Sequence, residues 1–213
     1  MILLCAAAAV SLLPLAAATA NGALPANLAL YSVVTCNSSE QELAAAAEAA
    51  LWLGALAGRN LTLVNSSDCG TVRAHPPFLA VGPSAARTLC GMPSGQLDEL
   101  GLEGLVLGSS TTHSPCAYAT GGVGAPRGTL YAVTELLELL GVRFLHPEET
   151  ILPSNASMPP VLAKRYVPRF EYRAYDDFTA TVFPQWTQRA RINSYGNWDP
   201  RWDYAGCAVV THT

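Results

Sequence analysis

Four polar residues near the carboxyl end of the chain are candidates for binding a ligand. Asp176 and Asp177 follow an alternating stretch, 169–175 (RFEYRAY), that is typical of a β-strand. If that strand belongs to a barrel, its carboxyl end faces the mouth, where these acids and the planar guanidinium of Arg173 can bind sugar hydroxyls or a carboxylate. His212 follows a second strand-like run in the same way. The structural alternative is that the acids cap the next segment and Arg173 pairs with Glu171 or Asp177.

No set of residues in this chain forms a recognisable catalytic constellation. His212 has no nucleophile paired with it, and a lone histidine is more often structural than catalytic. The catalytic residues are therefore unknown from the sequence. Aromatic side chains at Tyr195, Trp198 and Trp202 lie in a loop-like segment and could stack on sugars, whereas Trp186 lies in a helix-like stretch and is expected to pack in the core.

The glycine-rich run 120–128 (TGGVGAPRG) invites comparison with a phosphate-binding loop, because backbone amides at a helix start attract anions. It contains neither G-K-[ST] nor G-x-G-x-x-G. We therefore expect a turn in which Arg127 forms an ion pair or caps a neighbouring carbonyl. No C-x-x-C or zinc-like histidine spacing occurs, so neither a metal nor another cofactor is expected.

Composition and the amino terminus indicate an exported protein. The 213 residues are 50% hydrophobic and 13% charged, with a formal net charge of -4 and no Lys/Arg cluster, which argues against nucleic-acid binding. Residues 1–20 form an apolar run that is broken by Pro14 and ends in a small-x-small site, Ala18 to Ala20. We predict a signal peptide and a secreted or secretory-lumen protein without a membrane span after cleavage. An uncleaved anchor is the alternative.

Sequons and cysteines agree with that compartment. Four sequons predict N-glycosylation, at Asn37, Asn60, Asn65 and Asn155. Cys36 and Cys69 each follow a predicted strand, and parallel strands would place them at one end of a sheet. We predict two disulfides and one leftover thiol: Cys36–Cys69, Cys90–Cys116 and Cys207.

The elements that position these residues alternate between strands and helices. Helices are predicted over 40–57, 83–89 and 130–140. The first is capped by Ser38 or Ser39, with Glu42 three residues after Ser39, and ended by Gly58; the third is ended by Gly141. Strands are predicted over 27–34, 61–64, 78–81, 105–107, 116–120 and 142–145. The pattern predicts an α/β (α+β) layer sandwich, a mixed sheet with helices laid across it.

The character of the chain changes after this pattern. Residues 21–147 are predicted to form the α/β domain and 148–168 a linker rich in Pro, Ser and Asn. Residues 169–213 then begin a fresh β-α-β unit, with a helix over 184–193 and a strand over 207–210. This unit reads as an incomplete start of a TIM-like barrel.

Two motifs resemble a family of glycoside hydrolases. A first pattern, R-G-x-x-Y-A-x-x-x-L-L-E-x-x-G-x-R-x-L-x-P, is matched by Arg127, Gly128, Tyr131, Leu136, Leu137, Gly141, Arg143, Leu145 and Pro147. A second, P-x-F-x-Y-R, is matched by Phe170, Tyr172 and Arg173, and is followed by QRARIN (188–193). Together they resemble the amino-terminal domain of β-hexosaminidase-like and α-glucuronidase-like glycoside hydrolases, joined to the first strands of their barrel. The terminal V-T-H-T is similar to a segment after the second barrel strand.

The resemblance implies hydrolysis of O-glycosyl bonds in a glycan substrate, with Arg173 and His212 in the substrate pocket. In that family the catalytic acids lie on later barrel strands, so this portion alone is expected to be inactive and to come from a truncated gene model or fragment. The alternative is a non-catalytic glycan-binding or interaction module. A nucleotide-binding domain is disfavoured because its fingerprint is missing. Substrate sugar and oligomeric state do not follow from the sequence.

Overall fold

The computed structural model describes residues 23–110, 115–170, 173 and 182–193. Its strands are β1 Ser32–Cys36, β2 Leu63–Ser66, β3 Phe78–Val81, β4 Leu105–Ser110, β5 Cys116–Gly121, β6 Arg143–His146, β7 Glu149–Ile151 and β8 Ala163–Tyr166. Six of them form one sheet in the order β2-β1-β3-β5-β4-β8, while β6 and β7 pair separately. Neighbours from β2 to β5 are parallel, and β4 is antiparallel to both β5 and β8. The predicted mixed α/β architecture is confirmed.

The helices begin and end where local capping signals place them. They are α1 Glu40–Ala57, α2 Pro83–Cys90, α3 Pro126–Leu139 and α4 Pro184–Arg189. At the start of α1 the Ser39 hydroxyl accepts from the Glu42 N–H at 3.2 Å, and the Glu42 carboxylate accepts from the Ser39 N–H at 2.8 Å. Gly58 ends the helix in the left-handed conformation, with φ of 66°. Both ends of α1 match the sequence prediction.

The two faces of the six-stranded sheet are covered differently. Alternating side chains of each strand divide between them, so that Val33 and Leu79 face one side while Val34 and Ala80 face the other. We call the side packed against α1 and α3 the helical face. We call the opposite side the disulfide face, because α2 and two short 3-10 turns, Cys69–Thr71 and Ser94–Leu97, cover it together with two disulfides. These disulfides are the predicted pairs, Cys36–Cys69 and Cys90–Cys116.

A close approach of two backbone segments explains the glycine of the first motif. A Cβ atom at Gly128 would lie 2.2 Å from the carbonyl oxygen of Gly104, so only glycine lets the first turn of α3 pack against the loop before β4. Gly141 has φ of 99° and ends the same helix, as predicted. The TGGVGAPRG run is thus the junction between β5 and α3.

The structure differs from the sequence prediction at several elements. The strand predicted over 27–34 is preceded by a 3-10 helix, Leu28–Leu30, and begins only at Ser32. Residues 148–168, predicted as a linker, supply β7 and the edge strand β8, which pairs with β4. The strand after Gly141 is β6, which joins β7 in a hairpin instead of the main sheet. The helix predicted over 184–193 ends at Arg189, because Arg191 adopts a left-handed conformation with φ of 57°.

The predicted barrel strands are a separate matter. Most of the strand predicted over 169–175 and all of the strand predicted over 207–210 lie outside the described residues. The described residues 169, 170 and 173 carry no strand assignment. The barrel start and the domain boundaries therefore stay predictions.

Candidate functional site

Arg173 lies in a densely hydrogen-bonded junction between the α/β domain and the chain that follows it. Its Nη2 donates to Glu103 Oε2 at 2.5 Å, its Nε to the Arg191 carbonyl at 2.7 Å, and its Nη1 to the Phe170 carbonyl at 2.7 Å. Its backbone N–H donates to Asn193 Oδ1 at 2.6 Å. Every guanidinium nitrogen of Arg173 thus has an acceptor in this chain, and the partner acid is Glu103. Substrate binding by Arg173 stays a prediction.

Glu103 is the centre of this junction. Its Oε1 accepts from Arg127 Nη1 at 2.7 Å and from Asn193 Nδ2 at 2.8 Å, while its Oε2 accepts from Arg173. Burial by itself would raise the pKa of Glu103, but hydrogen bonds from Arg127, Asn193 and Arg173 outweigh it and hold the pKa below its ordinary value. The carboxylate is therefore ionised at neutral pH, and it is not suited to act as a general acid. The predicted ion pair of Arg127 is confirmed, with Glu103 as its partner.

Tyr131 explains another position of the first motif. It lies four residues after Arg127 on α3, so both side chains fall on one side of the helix. The Arg173 guanidinium carbon lies 5.7 Å from the centre of the buried Tyr131 ring, a cation–π distance. Burial raises the pKa of the Tyr131 hydroxyl above its ordinary value, with the charge of Glu103 adding to the shift. The Tyr131 side chain is thus uncharged at neutral pH, and its ring lies beneath the guanidinium that pairs with Glu103.

The QRARIN segment makes a second group of contacts with α1. Arg189 donates from Nη2 and Nε to Glu48 Oε2, at 2.6 Å and 3.1 Å. Its guanidinium carbon also lies 5.3 Å from the centre of the Trp52 ring and 4.8 Å from that of Phe144, and these two rings meet edge to face. Because both Arg189 and Glu48 are largely buried, the charged pair is shielded from solvent.

The remaining polar residues of QRARIN contact α3. Gln188 Nε2 donates to the Thr134 hydroxyl at 3.2 Å. Arg191 Nη2 donates to Glu135 Oε2 at 2.8 Å and to Glu138 Oε2 at 2.7 Å. With Asn193 on Glu103, four side chains of this six-residue segment bind the α/β domain.

The backbone of Arg191 adds a local feature to the junction. The Ile192 N–H donates to the Thr187 carbonyl and the Arg191 N–H to the Gln188 carbonyl, both within 3.0 Å. These two bonds form a Schellman motif, whose left-handed position is usually glycine. An arginine there costs backbone energy, and its two carboxylate partners on α3 offset that cost.

The structure separates the sequence-predicted residues into three groups. Asp176, Asp177 and His212 lie outside the described residues, as do the aromatics of 195–204. Arg173 joins the junction. The asparagines of all four sequons are exposed: Asn37, Asn60, Asn65 and Asn155.

Sequence reasoning missed the acidic partners of the junction, Glu48, Glu103, Glu135 and Glu138. Two of them, Glu135 and Glu138, are three residues apart on α3, which is the spacing that places acids on one helix side. That spacing was the available signal. Glu103 has none, because its partners lie 24, 70 and 90 residues further along the chain.

A shallow groove between α1 and α4 offers little for chemistry. It has a volume of about 540 Å³ and is lined mainly by Leu and Ala side chains of α1, with Gln185 at its side. Glu48, one of its acids, is already paired with Arg189. The described residues contain no cluster of three or more His, Cys, Asp or Glu side chains that could hold a metal ion. The described contacts hold residues 182–193 against the outer side of α1 and α3.

Comparison with known proteins gives similarity to solved structures and no sequence match. No family profile and no curated protein matches the chain. The chain is similar in structure to a family GH115 4-O-methyl-α-glucuronidase with specificity for decorated arabinogalactans, at 14% identity and a TM-score of 0.47. The similarity covers 82% of this chain and 25% of the other, so the chain spans about a quarter of that protein. At these values the likeness carries no argument about activity.

Proposed function

We propose that this chain is the amino-terminal part of an exported glycoside-hydrolase-like protein that hydrolyses O-glycosyl bonds. In this proposal the α/β domain supports the segment from residue 169 onward, and the catalytic carboxylates belong to later parts of the barrel. The R-G-x-x-Y and F-x-Y-R motifs support the family, as does the confirmed α/β architecture of the chain. Arg173 and His212 are proposed to border the sugar pocket.

The observation that carries the supporting role is the contact made by QRARIN. Gln188, Arg189, Arg191 and Asn193 each bind a different acceptor group of the α/β domain. Such a set of largely buried hydrogen bonds, most of them charge-assisted, fixes position and register more than it adds stability. The arrangement suits a domain that orients the element following it.

Export is supported by three independent features. The signal-like residues 1–20 and the four exposed sequon asparagines fit the secretory pathway. Two disulfides are typical of an oxidising compartment. Among the residues that the structure describes, every helix is too short or too polar to cross a lipid bilayer.

Hydrolysis by the full-length protein tests the activity. Chromogenic glycosides of N-acetylhexosamines and of glucuronic acid, in both anomers, form the panel. Turnover of at least one supports the proposal. A glycan array run in parallel separates the alternative, because specific binding without turnover on any substrate would indicate a non-catalytic glycan-binding module.

A paired variant tests the supporting role. Arg189→Gln removes the charge that pairs with Glu48, whereas Arg59→Gln changes an exposed arginine of the same domain and serves as the control. If residues 182–193 dock as described, protease cleavage within that segment becomes faster in Arg189→Gln and unchanged in Arg59→Gln. Equal cleavage of both variants would contradict the docking role.

A further inference from the structure

The two terminal strands of the described sheet differ in how they resist unwanted pairing. At one edge, β8 carries Lys164 and Arg165, which bind Glu135 and the Asp98 carbonyl. Lysines and arginines on an edge strand oppose the addition of another strand. At the other edge, β2 reads Leu-Val-Asn-Ser, and the whole stretch 60–67 (NLTLVNSS) contains no charged residue.

Hydrogen bonding identifies which groups of β2 face outward. The Val33 N–H donates to the Thr62 carbonyl at 2.8 Å, and the Asn37 N–H to the Ser66 carbonyl at 2.9 Å. Because a parallel strand directs alternate residues toward its neighbour, Thr62 and Ser66 point their backbones toward β1. The backbone groups of Leu63 and Asn65 therefore point to the outer edge.

That outer edge has the character of a template for strand addition. The side chains of Leu63 and Val64 pack against the cores on opposite faces of the sheet. Apolar, uncharged edge strands with free N–H and C=O groups pair readily with other chains. Something other than side-chain charge has to protect β2.

Two of the four sequons lie on this stretch. Asn65 is in β2 itself and is one of the residues whose backbone faces outward, and Asn60 lies three residues before the strand. Both side chains are exposed. Asn37, by contrast, follows the interior strand β1, and Asn155 lies between β7 and β8 outside any strand.

We propose that N-linked glycans on Asn60 and Asn65 protect the β2 edge against strand addition. This inference rests on the export proposed above. In the modification, the side-chain amide nitrogen bonds to the anomeric carbon of an oligosaccharide that is carried on a lipid pyrophosphate. The bond from that carbon to the pyrophosphate breaks, the pyrophosphate keeps the electron pair, and the amide loses one proton. A hydrated oligosaccharide at Asn65 then occupies the space that an incoming strand needs.

Variants that remove the sequons but keep both asparagines test the proposal. The full chain with its own amino terminus is expressed in cultured mammalian cells as wild type, Thr62→Ala/Ser67→Ala and Ser157→Ala. The last removes the Asn155 sequon and is the matched control. Glycopeptide mass spectrometry reports occupancy, and size-exclusion chromatography with light scattering over a concentration series reports self-association.

We expect wild type and Ser157→Ala to stay monomeric, with Asn60 and Asn65 modified. Thr62→Ala/Ser67→Ala should self-associate at concentrations on the order of tenfold lower than the highest at which the wild type is still monomeric. A third variant, Thr62→Ala/Asn65→Lys, lacks both glycans but carries an edge lysine, and it should regain the monomeric behaviour of the wild type. That rescue distinguishes edge protection from a general gain in solubility.

The outcomes distinguish a failure of edge protection from a failure of the proposed export. Exported protein with Asn155 modified and Asn65 unmodified overturns edge protection alone. The same holds if Thr62→Ala/Ser67→Ala associates no more than Ser157→Ala, or if the lysine variant associates as strongly as Thr62→Ala/Ser67→Ala. Protein that stays in the cytosol with no sequon occupied overturns both proposals.

Discussion

The helical face and the disulfide face of one sheet are stabilised by different means. On the helical face, α1 and α3 have 18 and 14 residues and bury large side chains completely, among them Leu53, Leu136 and Leu137. On the disulfide face, α2 has 8 residues, and 3-10 turns supply much of the remaining cover. Each disulfide there ties a strand residue to a covering element: Cys36 of β1 to Cys69, and Cys116 of β5 to Cys90 of α2.

The difference shows what a short covering element needs. Burial of apolar area stabilises roughly in proportion to that area, so an eight-residue helix contributes less than an eighteen-residue one. A disulfide acts mainly on the unfolded chain, whose entropy it lowers, and its effect does not depend on the size of the covering element. Crosslinks are therefore found where the helical cover is thinnest.

Removing both disulfides should have the largest effect, because it breaks the disulfide face. The bridges span 33 and 26 residues, and loops of that length predict about 3 to 4 kcal/mol each in the chain-entropy account. The variant with Cys36, Cys69, Cys90 and Cys116 all changed to Ala should lose roughly 7 kcal/mol, comparable to the whole stability of a small domain. Urea unfolding followed by circular dichroism measures this. Stability within about 2 kcal/mol of the wild type would contradict the comparison.

Leu136→Ala should have the next largest effect, because it breaks the helical face by packing alone. Leu136 is completely buried under the sheet, and such truncations cost about 2 to 5 kcal/mol through lost contacts and a residual cavity. Leu139→Ala on the same helix is the control, since Leu139 is 53% exposed and should change stability little. Chemical denaturation of both variants gives the two free energies. Equal losses would mean that α3 does not bury the face described.

Glu103→Gln tests the polar layer that lies outside the helical face. It leaves Arg127 and Arg173 without their carboxylate, and loss of one partner from a buried pair costs about 3 kcal/mol. Glu148→Gln, at an exposed position, is the control. Thermal unfolding monitored by tryptophan fluorescence reports the change. A loss no greater than that of Glu148→Gln would exclude Glu103 as the centre of the junction.

The same carboxylate predicts a pH dependence. The pKa of Glu103 is lower in the folded chain than its ordinary value of 4.5, so its contribution is fully present above that value. The contribution is lost as the pH falls from about 4.5 through the folded pKa, because the protonated acid no longer pairs with both arginines. The free energy of unfolding, measured in steps of pH, should therefore decline less steeply in Glu103→Gln than in the wild type. Parallel profiles below pH 4.5 would contradict this.

Ser39→Ala should have the smallest effect on stability, because it changes only the cap of α1, one of the two helices that cover the helical face. It removes the hydroxyl that accepts from the Glu42 N–H, and loss of such a cap costs about 1 kcal/mol. Ser39→Thr keeps an acceptor and should stay within a few tenths of a kcal/mol of the wild type. Because Ser39 is also the third residue of the Asn37 sequon, the variants are produced in a host that does not glycosylate proteins, so that only the loss of the cap is measured. Equal free energies of unfolding in urea for Ser39→Ala and Ser39→Thr would show that packing alone positions α1.

Elements with local signals could be predicted from the sequence, and elements that depend on distant partners could not. The bounds of α1 follow from Ser39, Glu42 and Gly58, which act within one turn of each helix end. The strand β8 was missed because its charged residues are typical of a loop. It forms a strand only through its pairing with β4, which no local pattern indicates. At the candidate site the motif singled out Arg173, whose substrate binding stays a prediction, but its partner Glu103 lies 70 residues away and has no pattern of its own.

The sequence separations around Glu103 fix the order in which its partners are synthesised. Its first partner, Arg127, is 24 residues downstream, while Arg173 and Asn193 are 70 and 90 residues downstream. Chains fold from the amino terminus as they emerge from the ribosome, so the Glu103–Arg127 pair can close first. Glu48, Glu135 and Glu138 are likewise made before Arg189 and Arg191. The carboxylates that bind residues 182–193 are thus all synthesised before the arginines of QRARIN, so this segment can dock on elements that have already formed.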